Sequence, residues 1–175
     1  MDHFIGDINI PQHLADEAIA NGTTVERICR HRLKPPLDRV YRGGVMDLLV
    51  FSRRWASLIA PVRQHLVISL TDPDKPDLAA APSDSRCGIL RLKFDDATKG
   101  PYVLMEQSHS DQIVTFIKSN WSPERLVVVH CEAGLRRSAG VAAALSRKFN
   151  GKDQFFFDYY IPNRLVYQNT LNALS

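Results

Sequence analysis

Residues 126–138 read LVVVHCEAGLRRS. The unbroken apolar run predicts a buried strand that ends at His130-Cys131. Glu132, Ala133, Gly134, Leu135 and Arg136 then form a short loop, and Arg137-Ser138 opens the segment AGVAAALSRKF, which has helical spacing. A chain that leaves a strand, turns tightly and restarts as a helix points several backbone N–H groups into one concavity. The positive end of the helix dipole points there too, so the concavity suits a tetrahedral dianion. Cys131 falls at its base, where the same field favours a thiolate over a thiol. Arg137 closes the loop with a planar fork matched to two phosphate oxygens. This spacing fits thiolate attack on a phosphate ester.

Working outward, the pattern alternates. VMDLLVF (45–51), HLVISLT (65–71), GILRLKF (88–94) and RLVVVH (125–130) read as strands. Between and after them come SRRWASLIA, MEQSHSDQIVTFIKSN, the segment following Ser138, and NRLVYQNTLNAL, all with helical character. The prediction is an α/β fold with a mainly parallel central sheet of about four strands flanked by helices. Ligand sites in such sheets lie beyond the carboxyl end of a strand, where Cys131 is expected. Residues 11–20 and 23–33 also carry helix-boundary signals, namely Pro11, Asn21-Gly22 and a Thr-Thr-Val-Glu capping box, before Pro35-Pro36 breaks the pattern. Residues 1–36 therefore read as an N-terminal helical extension, and 37–175 as one globular unit.

The 130–138 segment resembles the signature of the cysteine-dependent protein tyrosine phosphatases, in their dual-specificity-like branch: His-Cys, five residues, Arg, then Ser or Thr. His130, Cys131, Gly134, Arg137 and Ser138 fall on its positions. The resemblance covers roughly residues 39–148, and outside the loop it is only suggestive. It implies a phosphatase-like fold and a metal-independent phosphatase, with no cofactor, acting on phosphorylated proteins, phosphotyrosine foremost, through a cysteinyl-phosphate. Cys131 would be the nucleophile. The backbone of Glu132, Ala133, Gly134, Leu135, Arg136 and Arg137 would cradle the phosphate, with the Glu132 side chain turned away. Ser138 would stabilise the departing thiolate, or cap the helix. His130 would order the loop, or sit in the core as a satisfied histidine.

The same resemblance asks for an aspartate on a loop after the neighbouring strand, to protonate the leaving oxygen. LKFDDAT offers Asp95 and Asp96, with Asp96 on the family position and Asp111 a poor third. Arg136 departs from the pattern, since a small or polar residue usually precedes the catalytic arginine. A second guanidinium at the rim suits highly charged substrates, or pairs with Glu132 or another surface acid. An RNA 5′-phosphatase, a phosphoinositide phosphatase and a phosphate-binding pseudo-enzyme are the competing readings.

Composition sets the outer bounds. The chain has 175 residues, 45% hydrophobic and 23% charged, as in a soluble globular domain with a sizeable core. No apolar run approaches the ~20 residues that span a bilayer, and the acidic first residues do not read as a secretory signal. A net charge of +3 suits an anionic substrate and is too weak to indicate nucleic acid. Basic residues cluster at Arg27, Arg30, His31, Arg32, Lys34, Arg39 and Arg42, as on a solvated helix face. Three cysteines without framework spacing indicate a reducing compartment, the cytoplasm. Cys29 and Cys87 read as small core fillers, with a resolving thiol for Cys131 as the alternative reading of Cys87. The scattered histidines lack metal-ligand spacing.

Overall fold

The computed structural model describes residues 3–5, 8–10, 16, 20 and 40–175. In chain order the elements are β1 (His3–Ile5), β2 (Ile8–Ile10), β3 (Tyr41–Arg42), β4 (Asp47–Ser52), α1 (Arg53–Leu58), β5 (Ala60–Pro61), β6 (His65–Thr71) and β7 (Arg86–Lys93). They continue with α2 (Gln107–Asn120), β8 (Leu126–Cys131), α3 (Arg137–Asn150), α4 (Gln154–Tyr159) and α5 (Arg164–Leu174).

The central sheet has five strands in the order β3-β4-β8-β6-β7. β4, β8, β6 and β7 run parallel, and the two-residue β3 adds an antiparallel edge. The expected four-strand parallel sheet is therefore present, with one short strand that its length hid from the sequence. β8 lies at the centre, so its apolar run is buried on both faces, which is why it does not alternate. Val127 and Val129 join Leu48, Val50, Ile68 and Leu70 beneath α2, α3 and α5. Leu126 and Val128 join Leu49, Phe51 and Val67 beneath Trp55 and Ala56 of α1 and Leu78.

α3 is buried from Arg137 to Ser146, enclosed between the sheet and α5. Its small side chains permit that approach. A Cβ on Gly140 would lie 2.9 Å from the carbonyl oxygen of Asn163. The Phe155–Phe157 stretch lies in α4. Phe156 is buried, and Tyr41 stacks on Phe155 with ring centroids 4.7 Å apart, so this stretch is core.

The N-terminal segment differs from its helical expectation. Residues 3–5 and 8–10 pair as an antiparallel hairpin, and β2 pairs with β5 in a separate three-stranded sheet. Ile5, Ile8 and Ile10 supply β-branched residues there, a propensity the helix-boundary signals after Pro11 obscured. Asp16 and Ala20 are helical, in keeping with a helix over 11–20. The second predicted helix, the 36/37 boundary, Cys29 and the basic residues 27–39 lie outside the described residues. No helix among the described residues is long and apolar enough to cross a membrane.

Candidate active site

β8 delivers Cys131 to the carboxyl edge of the sheet, and α3 begins six residues later at Arg137. The main-chain hydrogen bonds that fix the intervening loop use its carbonyls. Arg53 N–H donates to Glu132 O at 3.1 Å and Ile161 N–H to Leu135 O at 3.1 Å. Asn163 and Gly140 N–H both donate to Arg136 O at 2.9 Å. Across a planar trans peptide the next N–H points opposite to the carbonyl. The amides of Ala133, Arg136 and Arg137 are thus turned away from those neighbours. Gly134 makes the turn with φ +69°, and a Cβ there would lie 2.5 Å from the backbone nitrogen of Ser52. Only glycine meets both conditions.

Inside this frame Cys131 is 2% exposed, and its Sγ lies 3.0 Å from Ser138 Oγ. Ser138 sits in the first turn of α3 with its hydroxyl in hydrogen-bond contact with the thiol; it is not the helix cap, a position held by Arg136. His130 is fully buried, with Nε2 2.6 Å from Ser69 Oγ and Nδ1 3.4 Å from Cys131 O. Burial pushes the imidazole down to about 4, against a smaller opposing effect of its bond to the Cys131 carbonyl. The ring is therefore neutral at pH 7. A carbonyl can only accept, so Nδ1 carries the proton and Nε2 accepts from Ser69.

Arg137 is the buried cation of the site, 2% exposed. Nη1 donates to Phe94 O and Nη2 to Asp72 Oδ1, both at 2.6 Å, while Nε is buried with no hydrogen-bond partner among the described residues. Partial burial opposes ionisation of Asp72, but hydrogen bonds from Arg137 and Lys75 outweigh it and hold the carboxyl below its usual range. Lys75 Nζ bridges Asp72 at 3.2 Å and Glu132 at 3.1 Å. The Glu132 side chain is thus drawn to a lysine on the loop after β6. Sequence reading missed Asp72, Lys75 and Ser69. The signal available was the placement of Ser69 and Asp72 at the carboxyl end of β6, beside the strand that carries the cysteine.

The two adjacent aspartates separate cleanly. Asp95 closes the neck of its own loop, since its N–H donates to Val103 O at 2.7 Å and its Oδ2 accepts from Val103 N–H at 2.8 Å. Asp96 turns to the cysteine loop instead. Its Oδ2 pairs with Arg136 Nε at 3.0 Å, and its Oδ1 accepts from Asn163 Nδ2 at 2.8 Å. Asp111 lies on the exposed face of α2, bonded to Gln107. Arg136 thus pairs with Asp96 rather than with Glu132.

Cys87 is exposed on β7, not a core filler. The register sets β7, β6 and β8 in parallel, with Arg86 opposite His65 and His65 opposite Leu126. The register shifts after His65, and Arg91, Ser69 and His130 stand level, so the Cys131 level on β7 falls at Leu92, five residues from Cys87, about 16 Å along the strands and two strands over. That geometry removes it as a resolving thiol in the folded chain.

This chain is similar in structure to a human tyrosine phosphatase-like serine/threonine/tyrosine-interacting protein, with a TM-score of 0.52 and 16% identity over 77% of this chain and 92% of that one. The fold is that of the tyrosine-phosphatase-like proteins. A mouse putative dual specificity phosphatase, whose structure was solved with zinc tungstate, overlaps at a TM-score of 0.45 and 15% identity, over 77% of this chain and 84% of that one. The sequence matches no protein-family model and no curated protein. Within this phosphatase-like fold the cysteine loop lies at the carboxyl edge of the central sheet, where the ligand site of an open α/β sheet is expected.

Proposed function

We propose that the protein is a metal-independent phosphatase that hydrolyses phosphate monoesters, phosphotyrosine of proteins foremost, through a cysteinyl-phosphate. The observation that carries this reading is the Arg137 guanidinium: buried, tethered at both terminal nitrogens, with its Nε–H unpartnered at the start of the helix that follows the cysteine loop. An unsatisfied buried donor on a cation costs more than the 1–3 kcal/mol typical of a neutral group, and needs an acceptor to justify it. A phosphate dianion in the loop supplies one.

Cys131 Sγ then attacks phosphorus as the thiolate, and the bond to the leaving oxygen breaks with a proton from Asp96. The loop amides and Arg137 hold the equatorial oxygens as charge moves. Water hydrolyses the cysteinyl-phosphate, and Ser138 donates a hydrogen bond to the departing sulfur. A thiolate nucleophile suits a reducing compartment, the cytoplasm. The human neighbour is by its own description phosphatase-like and interacting.

The test measures release of phosphate from p-nitrophenyl phosphate, a phosphotyrosine peptide and a triphosphorylated RNA, with and without EDTA. The expected result is turnover of the first two, unaffected by EDTA. Cys131→Ser should abolish it while still binding vanadate. Residual turnover in that variant removes Cys131 as nucleophile, and a metal requirement overturns the assignment. Vanadate binding without turnover in the wild type would make this a phosphate-binding protein.

A further inference from the structure

Arg136 and Asp96 form a contact that the phosphatase chemistry above does not use and cannot tolerate. Asn163 is 1% exposed, and its Oδ1 accepts from Val166 N–H at 3.2 Å as the cap of α5. That bond fixes the orientation of the amide, so Nδ2 is the atom that donates to Asp96 Oδ1 at 2.8 Å. Oδ1 is thereby an acceptor. A proton for the leaving oxygen must reside on Oδ2, and Oδ2 is taken by Arg136 Nε at 3.0 Å. For Asp96 to deliver a proton, this ion pair has to open.

The surroundings show which member can move. The main chain of residue 136 is held by two N–H donors at 2.9 Å, from Asn163 and Gly140. Its side chain is 45% exposed and has one carboxylate partner among the described residues. The other rim cation, Lys75, has two, Asp72 and Glu132. Arg137 is buried and tied at both ends. Arg53, also beside the loop, is held by Thr71 Oγ1 and the carbonyls of Pro76 and Asp77. Among Arg53, Lys75, Arg136 and Arg137, Arg136 is the one an incoming anion can draw away.

We propose that Arg136 is a gate on the general acid, and that the favoured substrate is a phosphopeptide with a second anionic group, phosphoryl or carboxylate, beside the scissile phosphate. The second anion takes the guanidinium, Asp96 is freed at Oδ2, and Asn163 keeps it in place at Oδ1. Freed of the guanidinium, Asp96 takes up a proton from bulk water at Oδ2 and passes it to the leaving oxygen as the thiolate attacks phosphorus. Arg136 and Asn163 are positioning residues here, acting through Asp96. The inference rests on the phosphatase reading, and its test separates the two.

The experiment follows the first turnover, in which the cysteinyl-phosphate forms and the alcohol leaves. Three phosphotyrosine peptides are compared, with neutral neighbours, with a flanking glutamate, and with a second phosphotyrosine. In the wild type the two anionic peptides should react faster at saturation by about two- to fivefold, the population shift that a half-exposed ion pair supports. Arg136→Gln should raise the neutral peptide by the same factor and abolish the difference, and Arg136→Lys should keep part of it. A role in docking alone would move KM and leave the saturated rate unchanged, which overturns the gate. So does an Arg136→Gln that slows the neutral peptide, or one that keeps the discrimination. A gain confined to triphosphorylated RNA overturns the peptide assignment. A wild type with no first-turnover burst on any substrate removes the phosphatase reading, and the gate with it.

Discussion

The loop after β8 and the loop after β7 reach the same spot by different means. The first is held by its own carbonyls, by a glycine with no room for a side chain, and by an arginine buried between Phe94 and Asp72. The second is closed at its neck by Asp95 and Val103, and is joined to the site through the side chains of Arg136 and Asn163. In the proposed mechanism, main-chain constraint would set the anion cradle before a substrate arrives. Side-chain constraint would leave the proposed proton donor, Asp96, adjustable. The two halves of the site should therefore respond differently to substitution.

The sharpest way to break that contrast is Asp96→Asn. Phosphotyrosine hydrolysis should slow by about 10²–10⁴-fold, the usual contribution of a placed general acid. The loss should shrink for aryl phosphates with good leaving groups, while Asp95→Asn stays mild because Asp95 serves its own loop. If the two variants exchange behaviour in a leaving-group series, the donor is Asp95 and the contrast fails. On the cradle side, Arg137→Lys should cost about 10²–10³-fold in kcat with every leaving group alike, the loss typical of one transition-state donor. An ammonium cannot reach Phe94 O, Asp72 and an anion together. Near-normal kinetics would show that the cradle does not depend on the fork.

His130 gives the same contrast a stability readout. Its imidazole is held at about 4 when folded and returns to about 6.5 when unfolded, so the unfolded chain binds the extra proton between those values. Stability is complete above pH 6.5 and falls as pH drops towards 4, by about 3 kcal/mol from this group. Burial also holds His65 below its usual range, so the informative quantity is the difference from His130→Gln in urea titrations across that window. Equal slopes would mean that His130 is not held neutral. The smallest effect is expected for Asp72→Asn, about tenfold in kcat, from loss of one charge-assisted bond that aims Arg137. An unchanged rate would leave Phe94 O as a sufficient anchor.

What was legible in the sequence follows the same division. The strand into Cys131, the turn at Gly134 and the helix from Arg137 are consecutive in the chain, so their constraints left a local signature. Asp72 meets Arg137 across 65 residues and Asn163 meets Asp96 across 67, and a pairing of exposed-looking polar residues over that span leaves no periodicity to read. The strand order was equally hidden, because register between distant parallel strands is set by packing. The N-terminal hairpin was missed because three-residue strands give too short a pattern, and β3 is shorter still.

The sheet order has a consequence for how the chain is made. β8 pairs with β4 on one side and β6 on the other, yet both are synthesised long before it. Until residues 126–131 leave the ribosome, β3–β4 and β6–β7 are two separate ribbons, each with an apolar edge waiting for the same missing strand. The nascent chain therefore carries its greatest risk of misassociation in the interval before β8 emerges, and a stall there should aggregate more than one after α3. The strand that closes the sheet is also the one that brings the thiol. No assembled cradle can exist without Cys131 in it, and no Cys131 is released before the strands that flank it have been made.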